Sequence, residues 1–102
     1  MVVTCRLGTT RKDSLDLHGP FTLAGNSSAW YWFYWNDPNE RRPMVIAPQP
    51  SSIHGSLVVS ETRVLHQPPW GSAWQSYFQF EARVENRQST AQSFYLAVAG
   101  TV

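Results

Sequence analysis

The sequence predicts an all-β protein, folded as one antiparallel β-sandwich. No stretch of 11 or more residues keeps the apolar spacing of an amphipathic helix. Short runs rich in β-branched and aromatic residues instead recur between seven prolines and six glycines, a pattern typical of strands and turns. A chain of 102 residues suits a single domain, residues 1–102. A small barrel is the alternative architecture.

The apolar runs predict seven or eight strands. They cover residues 2–7, 14–18, 21–23, 29–35, 44–47, 56–66, 74–85 and 93–102. Pro20 lacks a backbone N–H, so we expect a bend or a sheet edge there. The alternation changes phase near Ser60, which predicts a bulge. The polar, glycine-free segment 86–92 predicts a hairpin loop of several residues.

The last two runs form the clearest unit. In 74–85, apolar and polar side chains alternate, so one face is expected in the core and the other in solvent. Segment 82–102 resembles the closing hairpin of immunoglobulin-like sandwich modules, and the strand spacing leaves an immunoglobulin-like or a jelly-roll-like order open. The final run carries no charge, so we expect a free sheet edge that can pair with a neighbour.

Charge and composition limit the partners. Eight basic and seven acidic residues give a net charge of +1, which provides no basic field for nucleic acid or an anionic membrane. No apolar run reaches the roughly 18 residues of a membrane span. The N-terminus lacks the pattern of a signal peptide, so a cytoplasmic or non-classically exported protein is expected. Because only 15% of residues are charged and 14% are aromatic, neutral polar ligands or protein surfaces are the favoured partners.

Segment 29–35, Ala-Trp-Tyr-Trp-Phe-Tyr-Trp, places aromatic side chains on both faces of one strand. One set can fill the core, and the other must be covered or exposed. Three interpretations remain open: a strand covered on both faces within the monomer, an oligomer interface, and a ligand platform. The interface hypothesis uses Tyr31, Phe33 and Trp35, together with Tyr95 of the last run.

A second aromatic group follows a Pro-Pro corner, which would hold Trp70 rigidly at low entropic cost. An indole can stack on the apolar face of a sugar ring while polar neighbours bind its hydroxyl groups. The candidate ligand-binding residues are Trp70, Trp74 and Tyr77, with Asp37, Asn39 and Arg41 as hydroxyl partners. The structural alternatives are that Trp70 plugs the open end of the sandwich and that 36–42 is a solvated turn.

Catalytic and metal-binding motifs are not found in the sequence. It contains no G-x-S-x-G elbow, P-loop or dinucleotide-binding glycine motif. His18, His54 and His66 match no metal-ligand spacing, and Cys5 has no predicted histidine partner. We therefore expect no enzyme activity, no metal and no cofactor. The favoured function is a lectin-like carbohydrate-binding module, acting as an oligomer for avidity. The alternative is an assembly module that uses the aromatic strand and a free sheet edge.

Overall fold

The computed structural model describes residues 2–7, 15–35, 42–69 and 75–100, and these contain seven strands and no helix. The strands are β1 (Val2–Leu7), β2 (Leu15–Leu23), β3 (Ser27–Trp35), β4 (Met44–Pro50), β5 (Val58–Gln67), β6 (Tyr77–Asn86) and β7 (Gln92–Gly100). The larger sheet has the order β1-β3-β6-β5, and the smaller sheet has the order β2-β7-β4. The prediction of an all-β fold is confirmed. Over these ranges, no helix meets the length and hydrophobicity of a membrane span.

The direction of strand pairing differs from the prediction at one strand. Six strands form the antiparallel parts, β3-β6-β5 and β2-β7-β4. β1 instead lies parallel to β3. The antiparallel strands therefore number six rather than seven or eight. A parallel neighbour requires a crossover connection. The chain makes that crossover by forming β2 in the smaller sheet before it returns to the larger sheet as β3.

Two predicted irregularities are confirmed. The segments predicted as 14–18 and 21–23 form one strand, β2, whose register shifts between His18 and Phe21. Pro20 lies within this shift, in a strand at the edge of the sheet. An edge strand tolerates a residue without a backbone N–H, because only one of its sides is paired with another strand. In β5 the register shifts between Val59 and Glu61, at the predicted bulge.

The closing hairpin is not formed. β6 belongs to the larger sheet, whereas β7 lies at the centre of the smaller sheet between β2 and β4. Residues 87–91 therefore cross from one sheet to the other, and β7 is not a free edge. The crossover places the apolar side of β6, with Phe80 and Val84, in the same core as Phe94 and Leu96 of β7. Burial of both apolar sides between the sheets is the physical reason for this arrangement.

The core lies between the two sheets, which pack face to face as in a β-sandwich. Tyr31 of the larger sheet meets Phe94 of the smaller sheet edge-on, with ring centroids 5.8 Å apart, and Phe21 lies 5.1 Å from the Tyr31 ring. Full burial of a large apolar side chain contributes about 1.5–3 kcal/mol. The core residues are Leu23, Ala29, Tyr31, Phe33, Trp35, Phe80, Val84, Phe94, Leu96 and Val98.

Candidate functional site

The aromatic strand β3 divides its side chains between core and surface. Tyr31, Phe33 and Trp35 point between the sheets and are 0%, 0% and 2% exposed. The expectation that these three residues form an oligomer interface is wrong, because the opposite sheet of the same chain already covers them. The outward-facing aromatic residues of β3 are Trp30, Trp32 and Tyr34.

The outward side of β6 next to these rings is more buried than its polar sequence predicts. Tyr77, Gln79 and Glu81 are all buried, although they do not face the core. In the sheet register Glu81 lies between Trp32 on β3 and Arg63 on β5. Large side chains on both neighbouring strands flank it, so this part of the face is not the solvated surface expected from the alternation.

A hydrogen-bonded row of polar side chains crosses the buried part of this face. Gln67 Nε2 donates to Gln79 Oε1 at 3.4 Å, and Gln79 Nε2 donates to Glu81 Oε2 at 2.7 Å. Arg63 Nε donates to the other carboxylate oxygen, Oε1, of Glu81. Both oxygens of the buried carboxylate therefore have a donor, as a buried charge requires.

The outward rings lie against this row. The guanidinium of Arg63 lies 4.3 Å from the ring centroid of Trp30, a cation–π contact. The rings of Trp32 and Tyr34 have centroids 5.9 Å apart and planes that differ by only 29°. Tyr34 and Tyr77 are in tilted contact at 5.4 Å. We call this surface the aromatic face. Its residues are Trp30, Trp32, Tyr34, Arg63, Gln67, Tyr77, Gln79 and Glu81.

A polar hollow of about 340 Å³ continues the aromatic face toward one end of the sheet. Its lining is Asn26, Ser27, Ser28, Arg83, Glu85, Asn86 and Arg87. Arg83 connects the hollow to the face because it pairs with Trp30. Glu85 accepts a hydrogen bond from Arg87 at 3.0 Å and lies 3.7 Å from Arg83. The hydrogen bond from Arg87, followed by one from Ser60, lowers the pKa of Glu85 below its ordinary value.

Acidic and basic side chains are balanced around the aromatic face. β5, β6 and the residue that follows β6 carry three arginines and three glutamates. They are Arg63, Arg83, Arg87, Glu61, Glu81 and Glu85. The ion pairs among them cancel most of the local field, so this surface suits a neutral ligand better than an anion.

The predicted ligand-binding residues fall mainly in segments that the structure does not describe. Trp70, Trp74, Asp37, Asn39 and Arg41 lie outside the described residues. Tyr77 lies on the aromatic face, where its buried ring supports Tyr34. Of the predicted interface residues, Tyr95 is exposed, on the opposite sheet.

Sequence analysis did not predict three main residues of the aromatic face as site residues: Trp30, Trp32 and Arg63. A weak signal for β3 was present. Ala29 has the same phase as the core set, whereas Ser28 has the same phase as Trp30, so small apolar and polar neighbours mark the inward and outward sides. Arg63 had no such signal, because its place beside Trp30 depends on strand pairing.

Comparison with protein-family models, curated proteins and solved structures gave no significant match. Fold and face therefore define only a class: a two-sheet β domain with an aromatic, charge-balanced outer surface. Over the described ranges, no three His, Cys, Asp or Glu side chains cluster closely enough to hold a metal ion.

Proposed function

We propose that the protein is a non-enzymatic carbohydrate-binding module that uses the aromatic face, on a sandwich of immunoglobulin-like or jelly-roll-like strand order. The observation that supports it best is the pair of half-buried indoles, Trp30 and Trp32, beside a hydrogen-bonded row of polar side chains. The C–H face of a sugar ring packs against an aromatic ring, and its hydroxyl groups need donors and acceptors next to that ring.

Trp32 is the ring expected to contact the sugar. Arg63 already lies over the ring of Trp30, whereas the partly exposed ring of Trp32 is held at a small interplanar angle by the buried ring of Tyr34. Within the described part of the chain, only Nε of Arg63 is hydrogen-bonded. The Nη groups of this half-exposed side chain therefore remain available for sugar hydroxyls.

The polar row makes the proposed site rigid before a ligand arrives. Glu81 and Gln79 are buried and hydrogen-bonded, and they hold Arg63 and Gln67 at the edge of the rings. Side chains that are already ordered lose less conformational entropy on binding. A shallow site of this kind still binds weakly alone, so we propose that the protein acts as an oligomer.

The alternative, an assembly module, loses two of the surfaces named for it. β7 is paired on both sides, and the inward aromatic residues of β3 are core. Of the four predicted interface residues, Tyr95 is the one that remains exposed, at 40%, and available to a partner. Carbohydrate binding is therefore the better-supported function.

A glycan array probed with the labelled protein tests the proposal. We expect binding to a group of related neutral glycans. Isothermal titration with one monovalent oligosaccharide from that group then measures the affinity. Trp32→Ala should weaken the affinity about tenfold, roughly 1.4 kcal/mol, because it removes the platform. Tyr95→Ala is the matched control, since it removes an exposed aromatic side chain from the other sheet. Its affinity for the monovalent ligand should stay within about twofold of the wild type.

Two results would contradict this assignment. Absence of glycan binding at high protein concentration would remove the proposed function. Unchanged affinity in Trp32→Ala, combined with loss in Trp70→Ala or Trp74→Ala, would keep the function and move the site to the loop predicted from the sequence.

A further inference from the structure

Among the residues that the structure describes, the outer face of the smaller sheet carries no charged side chain. Its described outward-facing residues are Leu17, Thr22, Val45, Ala47, Gln49, Ser93, Tyr95, Ala97 and Ala99. We call this surface the neutral face. The arginines and glutamates of β5 and β6 belong to the larger sheet. Asp16 of β2 is in the smaller sheet, but it pairs with the core residue Val98 and so does not belong to the neutral face.

Exposed apolar side chains concentrate on the neutral face. In the described part of the chain, five large apolar side chains are exposed, and three of them lie here: Leu17 at 61%, Val45 at 51% and Tyr95 at 40%. Scattered exposed apolar residues are ordinary, but a group on one uncharged face is typical of an interaction surface.

The shape of the neutral face allows close approach by another sheet. Ala97 lies at its centre, with Leu17 opposite on β2 and Ala47 opposite on β4. Ala99 pairs with Val45 in the same way. The alanines at 47, 97 and 99 therefore form a low patch on β4 and β7, and larger side chains surround it: Leu17 on β2, Val45 on β4 and Tyr95 on β7. Two such faces related by a two-fold axis can place the large residues of one copy over the alanines of the other.

We infer that the neutral face is a homodimer interface, occupied by the neutral face of a second copy. Charge favours a second copy over a foreign partner. A two-fold interface brings each surface against itself, so a charged face would meet its own like charges. The neutral face avoids that repulsion, and it offers no charge by which a different protein could be steered or selected.

The area of the neutral face predicts a reversible dimer. Three strands spaced about 4.8 Å apart and about seven residues long cover roughly 330 Å² as a flat rectangle. Because side chains raise the accessible area above the flat value, two copies bury roughly 700–1,000 Å² in total, which is below the roughly 1,200 Å² of stable specific interfaces and within the range of weak, transient ones. We therefore expect a weak, reversible dimer, with a dissociation constant between about 10 µM and about 1 mM. This inference does not depend on carbohydrate binding.

Sedimentation velocity of the 102-residue chain, from about 1 µM to about 1 mM, tests the dimer directly. Val45→Lys places a charge on the neutral face and should raise the dissociation constant at least about tenfold. Val64→Lys is a matched control: the residue type is the same, its exposure is 57% against 51%, and both valines lie on edge strands. Val64 is in the larger sheet, so its variant should dimerise within about twofold of the wild type.

A second neutral-face variant keeps the test decisive if Val45→Lys does not fold. Leu17→Lys lies on the opposite edge strand, is more exposed than Val45, and should weaken the dimer similarly. Circular dichroism and thermal melting identify the variants that fold. Three results would overturn the inference: a wild type that stays monomeric up to about 1 mM, a dimer unaffected by both neutral-face variants, and a dimer weakened equally by the Val64 control.

Discussion

Replacement of Asn86 with alanine should lower the free energy of unfolding by about 3 kcal/mol. The side chain of Asn86 is buried at the end of β6. There it links the β2–β3 connection to the β6–β7 connection. Its Nδ2 donates to the carbonyl oxygens of Leu23, Ala24 and Thr90 at 3.1, 3.1 and 2.9 Å. Its Oδ1 accepts from the backbone N–H of Gln88 at 3.0 Å.

The magnitude follows from the groups that lose a partner. Alanine removes two N–H donors and one acceptor, and each net hydrogen bond contributes about 1 kcal/mol, with a larger cost when a buried group is left without a partner. Relaxation is limited, because Gly25 lies directly against the backbone of Ser89 and the Asn26 N–H donates to the Gln88 carbonyl at 2.9 Å. For a domain of this size the melting temperature should fall by about 12–24 °C.

Urea unfolding followed by tryptophan fluorescence measures the change. Gln75→Ala is the control, since it removes an exposed amide just before the same strand and should cost less than about 0.5 kcal/mol. Asn86→Asp keeps the shape but turns an acceptor toward carbonyl oxygens, so at neutral pH it should be no more stable than Asn86→Ala. A loss under about 1 kcal/mol in Asn86→Ala would refute the argument.

Three further predictions use the same unfolding measurement. Tyr31→Phe should stabilise the protein by about 1 kcal/mol, because the buried hydroxyl has no hydrogen-bond partner among the described residues; a loss of stability would show that it has one. Arg63→Met should cost about 2 kcal/mol, since it leaves the carboxylate of Glu81, 5% exposed, without its cation. Adding Glu81→Leu should recover most of that cost, and a double-mutant cycle that shows no coupling would contradict this. The pKa of Glu85 is lowered in the folded protein. The stability that its ionised carboxylate contributes is therefore present above the unfolded-state pKa and is lost as pH falls through the folded-state pKa. Arg87→Gln should therefore lose less stability than the wild type between about pH 6 and about pH 3, and NMR titration should show the pKa of Glu85 rising.

Local alternation predicted most strand positions but not which strands pair. The proline bend in β2 and the bulge in β5 could be predicted because each leaves a mark within a few residues. The relation of β6 to β7 left no such mark, since an inward apolar side is equally compatible with a hairpin and with a crossover. The parallel placement of β1 likewise depends on β3, more than twenty residues away in sequence. Long-range packing decides these features.

The aromatic face was only partly predictable for a related reason. Alternation correctly indicated that aromatic side chains lie on both sides of β3, but the choice of inward set required the partner sheet. The polar residues Gln79 and Glu81 looked solvated, because the sequence around them shows only their own strand. On the neighbouring strands, Trp32 and Arg63 flank Glu81, and Tyr34 and Leu65 flank Gln79. A site made by cross-strand neighbours is visible only once the sheet order is known.

The two proposals together constrain how an oligomer can use the aromatic face. A dimer through the neutral face would stack four sheets, so the two aromatic faces would point in opposite directions, roughly 30 Å apart. Such sites cannot both bind one flat glycan surface, so this dimer gains no avidity there. It can, however, link two separate surfaces. The wild type should therefore agglutinate glycan-coated beads, whereas Val45→Lys should bind a monovalent sugar with unchanged affinity and fail to agglutinate them. Trp32→Ala should still dimerise, but its sugar affinity should fall about tenfold and its agglutination of the beads should weaken accordingly. Failure of sugar binding alone, or of dimerisation alone, thus identifies which proposal is wrong.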